Sequence, residues 1–110
     1  MSELPENINE LNPSNLQLII ALKEQISNDL AKVGNYSFED NGFRVENWVS
    51  RLSDVLSKMN DHELNHFQYV VDLPENWSKD IRASDNPITE LAKAILQREW
   101  QKVYFRIKFS

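Results

Sequence analysis

The 110-residue chain has no cysteine, only two glycines, Gly34 and Gly42, and only two histidines, His62 and His66. Without cysteine there is no disulfide and no thiolate metal site. Two lone glycines cannot build a glycine-rich phosphate loop, a dinucleotide fingerprint or a G-x-S-x-G elbow. Cys-His catalysis is excluded, and Ser-His catalysis has only these two imidazoles to draw on. Long apolar runs are missing too. The longest, Leu18 to Leu22, is far short of the roughly 20 residues that cross a bilayer. The opening MSELPENINEL is acidic and polar, unlike a signal peptide. The expectation is a cytoplasmic protein with no membrane partner.

What is present suits one domain. A hydrophobic fraction of 41%, with five Phe, three Trp and three Tyr, can fill one core, and a chain of this length must bury most of those side chains to be stable. Net charge is −5, which opposes broad attraction to nucleic acid or anionic lipid. The charge is uneven: acids dominate residues 1–75, and bases outnumber acids in residues 76–110.

Residues 1–11 read as a loosely ordered lead-in, and 12–110 as a single helical domain. Asn12-Pro13, with Ser14 and Gln17 at capping-box spacing, opens a helix over about 13–33. Ile19, Leu22, Ile26, Leu30 and Val33 form its stripe, and Gly34 suits a left-handed cap. In residues 35–45, Tyr36 and Phe38 alternate with polar residues before Asn41-Gly42, and Phe43 and Val45 follow. This is either a short β-hairpin near 36–45, pairing Phe38 with Val45, or a loop that tucks its aromatics under the helices. Trp48, Val49, Leu52, Val55, Leu56 and Met59 mark a second helix, and a third runs from about 61 to Leu73, where Pro74 ends it. Residues 74–85 look like a connector held down by Trp77 and Ile81. Asn86-Pro87 opens a last helix to the C-terminus, with a strand over 103–109 as the alternative. The fold class is therefore mainly α: a bundle of about four helices.

The motif that bears on chemistry is His62-Glu63-Leu64-Asn65-His66. It resembles the H-E-x-x-H signature of zinc hydrolases, in which two imidazoles one turn apart hold the ion and the glutamate acts as general base. On that resemblance His62 and His66 would be metal ligands and Glu63 catalytic, with zinc the cofactor and a third ligand unassigned. One group of zinc proteases continues to a glycine and a third ligand, positions held here by Tyr69 and Asp72. Tyr69 resists the sharp turn that glycine permits. If the helix continues, Asp72 points away from the histidines. Glu90 and Glu99 are formally available from a later helix. The structural reading is simpler: Asn60 and Glu63 have capping-box spacing, and Leu64, Phe67, Val70 and Val71 form the buried stripe.

Arg98, Lys102 and Arg106, four apart beside Trp100 and Tyr104, make a basic line that could contact nucleic acid. It could also dock on an acidic surface, either a partner's or the chain's own N-terminal half. The leading reading is a non-catalytic protein-interaction or adaptor module, acting on a protein partner or by self-association and needing no cofactor. A zinc-dependent hydrolase is second and nucleic-acid binding third.

Overall fold

The computed structural model describes residues 5–12, 14–40 and 42–109. Within them a turn of 3₁₀ helix, Ile8–Glu10, precedes five α-helices: α1 Leu16–Ala31, α2 Val45–Ser57, α3 Asp61–Val71, α4 Glu75–Arg82 and α5 Pro87–Lys108. The Cα radius of gyration is 13.5 Å, close to the roughly 13 Å of one compact body of this length.

α5 is the axis of the molecule. It packs against α1, α2, α3, α4 and the 3₁₀ turn. Its buried residues Leu91, Ala92, Ile95, Leu96, Trp100 and Val103 lie on more of its circumference than an ordinary surface helix commits to the core. Pro87 stands at the first turn, where its missing N–H costs nothing. No strand forms over 103–109, because the i→i+4 ladder runs unbroken to Lys108.

The segment after α1 is a loop among the described residues, not a hairpin; Asn41, half of the expected turn, lies outside them. Phe38 and Phe43 both turn inward onto Trp48, edge to face, with ring centroids 5.0 and 4.9 Å away. Trp48 Nε1 donates to the Gly42 carbonyl at 3.0 Å. Alternation in residues 36–45 thus serves a three-ring cluster, which buries more aromatic surface than a two-stranded hairpin that is barely stable by itself.

Several boundaries differ from those the sequence suggests. α1 begins at Leu16 with Asn15 as its N-cap and no side-chain capping bond. The Ser14 and Gln17 box does not form; Ser14 N–H donates to Asn12 Oδ1 at 2.9 Å instead. Pro13 lies outside the described residues. Gly34 does not adopt the left-handed conformation. Its use is steric: a Cβ there would meet the Tyr36 ring at 3.0 Å and Glu63 Oε2 at 3.3 Å. α3 stops at Val71, and Asp72, with φ 64°, ψ 51°, supplies the left-handed cap. The connector holds a full two-turn helix, α4, with Ile81 buried, so the bundle has five helices rather than about four. In the lead-in, Ile8 and Leu11 are buried and Trp100 Nε1 donates to the Pro5 carbonyl at 2.8 Å, which ties residues 5–11 along α5. Residues 1–4 lie outside the described part.

Replacing Trp48 by alanine removes the hub of the ring cluster and should cost about 3–5 kcal/mol in urea unfolding. Tyr69→Ala, at a site 83% exposed, should stay within about 0.5 kcal/mol.

Candidate functional site

The histidine-bearing helix starts with a complete capping box. Asn60 Oδ1 accepts from Glu63 N–H at 2.8 Å, and Glu63 Oε1 accepts from Asn60 N–H at 3.0 Å. Tyr36 Oη donates to the same Glu63 oxygen at 2.8 Å. The Asn60 N–H and the Tyr36 hydroxyl together hold the Glu63 carboxyl below its usual range, and the same bond raises Tyr36. A carboxylate stabilised in this way is a weaker proton acceptor than a general base needs to be. His62 and His66 are exposed. Among the described residues no three His, Asp or Glu side chains gather into a group that could hold a metal ion.

The further zinc-ligand candidates are engaged elsewhere. Asp72 receives Arg98: Nε donates to its carbonyl at 3.0 Å and one terminal nitrogen to its carboxylate at 3.1 Å. That guanidinium caps the end of α3. Glu90 pairs with Lys93 at 3.3 Å. Glu99 is fully buried.

Glu99 belongs to a charged group between α1 and α5. Lys102 Nζ lies 2.7 Å from Asp29 Oδ2 and 2.9 Å from Glu99 Oε1. It also donates to the Val71 carbonyl at 3.4 Å. Asp29 is 1% exposed and further held by Gln25 at 3.2 Å and Lys32 at 3.5 Å. Neither Glu99 oxygen makes a well-directed hydrogen bond. Burial, reinforced by the neighbouring Asp29, pushes Glu99 up to about 8, against the pull of Lys102. Asp29 goes the other way: burial would raise it, but Glu99, Lys102 and Gln25 together hold it below its usual range. The pair therefore shares one negative charge at neutral pH, as two adjacent buried carboxyls must. Lys102, despite burial, is held above its usual value by both partners.

The basic line is thus turned inward. Arg98 serves α3, Lys102 serves α1 and the end of α3, and Arg106 donates to Gln25 of α1 at 2.8 Å. All three dock on the acid-rich residues 1–75 of the same chain. The alternation of sign between the halves signals this; the burial of Glu99 it does not reveal, because glutamate at one helical position looks the same facing in or out.

A groove lies on another side of α5. It has a volume of about 740 Å³ and is walled by the 3₁₀ turn, α2, α4 and α5. Ile8, Val45, Val49, Trp77, Ile81, Ala94 and Leu96 give it apolar walls, with Glu46, Asp80, Glu90 and Lys93 also lining it. In the sequence Trp77 and Ile81 suggest only a connector held down on the bundle, with no sign of a groove. Four separated segments form it, and no local pattern links them.

Two measurements check these assignments. Asn60→Ala should lower stability by about 1 kcal/mol through loss of the cap, while His66→Ala changes nothing measurable. The second concerns Glu99. Between about pH 4.5 and 8 the folded state holds a proton on Glu99 that the unfolded chain releases, so this group makes stability fall as pH rises across that window. Asp29 and Lys102 are shifted outward, below and above it, and contribute a flat term there. Glu99→Gln should remove the slope, so urea midpoints of variant and parent diverge in the variant's favour from pH 5 to pH 8.

No family model and no solved structure matches the chain, and no helix among the described residues is long and apolar enough to cross a membrane. One curated protein is similar, a MATH domain and coiled-coil domain-containing protein of Arabidopsis thaliana, 29% identical over a 123-residue alignment. The alignment takes in 94% of this chain and 40% of that protein, so the chain spans well under half the length of the relative it resembles.

Proposed function

We propose that the chain is a non-catalytic protein-interaction module, and that the groove between α2, α4 and α5 is its working surface. The observation that carries this reading is the groove itself, about 740 Å³ with seven apolar side chains in its walls. An apolar concavity with an aromatic in its wall and a polar rim is the usual form of a binding surface. The side chains that suggested other chemistry have structural work: Glu63 caps α3, and Arg98, Lys102 and Arg106 fasten α3 and α1 to α5. The name of the Arabidopsis relative agrees, since a coiled coil is an association of helices. A hydrolase would place His62, His66 and Glu63 around one ion, and only the five-residue motif supports that.

A photo-crosslinking residue, benzoylphenylalanine, placed at position 77 and expressed in cells tests the reading. The expected outcome is one discrete protein adduct from position 77 and none from the exposed position 69. An adduct at twice the chain's own mass identifies self-association; equal labelling from both positions removes the groove from consideration.

A further inference from the structure

The charges around the groove are not balanced. Three carboxylates and one ammonium line it, and the ammonium of Lys93 is already paired with Glu90 at 3.3 Å. Glu46 on α2 and Asp80 on α4 are exposed and make no hydrogen bond or ion pair among the described residues. α4 has cations of its own in Lys79 and Arg82, but neither lines the groove, whereas Trp77, Asp80 and Ile81 of the same helix do. The groove therefore has apolar walls and two carboxylates without partners among the described residues, one on each of two helices that line it. A low-dielectric wall strengthens the field of charges at its edge, so an occupant with positive charge beside its apolar surface is favoured twice.

Resting on the interaction-module reading above, we infer that the groove takes an amphipathic helical segment of a partner protein. Its apolar face would cover Val49, Trp77 and Ile81, and its lysine or arginine side chains would sit against Glu46 and Asp80. The charge and shape of the groove narrow the alternatives. A bare divalent cation needs several converging oxygens, and no three acids gather among the described residues. Nucleic acid and anionic lipid carry phosphates that these carboxylates repel. A second copy of this chain could not bring its basic line to the groove, because Arg98, Lys102 and Arg106 are each bound within the chain; docking of a copy through Lys79 or Arg82 would show as the adduct of twice the chain's mass. A partner's cation gains in addition from Trp77, whose ring face attracts lysine and arginine. An amphipathic helix of about 15 residues is about 22 Å long, which fits the shorter dimensions of the molecule, 28 and 25 Å.

The test uses the full chain and two labelled synthetic peptides of about 15 residues. Both carry leucines at i, i+3, i+4 and i+7 spacing; one has lysine and arginine at the flanking positions, the other glutamate. Fluorescence anisotropy should show the basic peptide binding at least about tenfold more tightly than the acidic one. Raising salt from about 0.05 to about 0.5 M should weaken it by screening. Glu46→Gln with Asp80→Asn should weaken the basic peptide about tenfold, with circular dichroism and urea unfolding unchanged. Glu46→Lys with Asp80→Lys should reverse the preference. If both peptides bind equally and the neutral variant binds like the parent, the assignment of a basic occupant is overturned and the groove remains a docking surface. If neither peptide binds although position 77 still gives its adduct, an amphipathic helix is the wrong occupant. If the adduct is absent as well, the module reading itself falls.

Discussion

Lys102 holds the molecule at its narrowest electrostatic margin. Its ammonium reaches two carboxyls with almost no access to water, on α1 and on α5 itself, and the terminal carbonyl of α3. An ion group removed from solvent is poor as a source of net stability, because desolvation offsets most of the attraction. What it supplies is registration. Asp29 and Glu99 cannot both stay buried and charged, and the charge on Asp29 cannot stay buried without this lysine, so α1 cannot slide along α5 without exposing or orphaning a charge. Arg106 to Gln25 and Arg98 to Asp72 extend the same restraint to the next turns in each direction.

Around that seam the remaining elements are placed by apolar contact. Trp48, with Phe38 and Phe43 edge-on to it, fixes the loop between α1 and α2. Trp100 binds the lead-in through the Pro5 carbonyl. Gly34 lets Tyr36 and Glu63 meet closely enough to join the same loop to the start of α3. α4 is the least anchored helix, with Ile81 its one buried residue, and it forms one wall of the groove. Where a helix is held by few contacts, the surface beside it retains unfilled apolar space, and here that space is the proposed docking site.

Helical periodicity made α1, α2, α3 and α5 legible to within a few residues, since stripes such as Trp48, Val49, Leu52 and Leu56 admit one burial pattern. The Asn60 and Glu63 box was legible too, because it is built from neighbours. The alternation around Asn41-Gly42 was not decisive: period two describes a strand and equally a loop whose aromatics point to one cluster. Spacing alone lets the helix continue through Asp72, because a left-handed cap at aspartate rather than glycine is supported by a distant partner, here Arg98, 26 residues away. The same limit governs the H-E-x-x-H pattern. Spacing puts two imidazoles on one face, but only distant residues can bring a third ligand, and they are committed to Lys93, Arg98 and Lys102.

The sequence by itself determined the helical class, the identity of most core residues and the sign asymmetry between the two halves, since each follows from composition and short-range spacing. Tertiary structure decided the rest. It turned the basic line inward, buried Glu99 beside Asp29, and left Glu46 and Asp80 without partners among the described residues at the rim of an apolar groove. The physical reason is that both burial of a charge and the shape of a concavity depend on which distant segments close over a residue. α5, touching every other element, is where those segments meet.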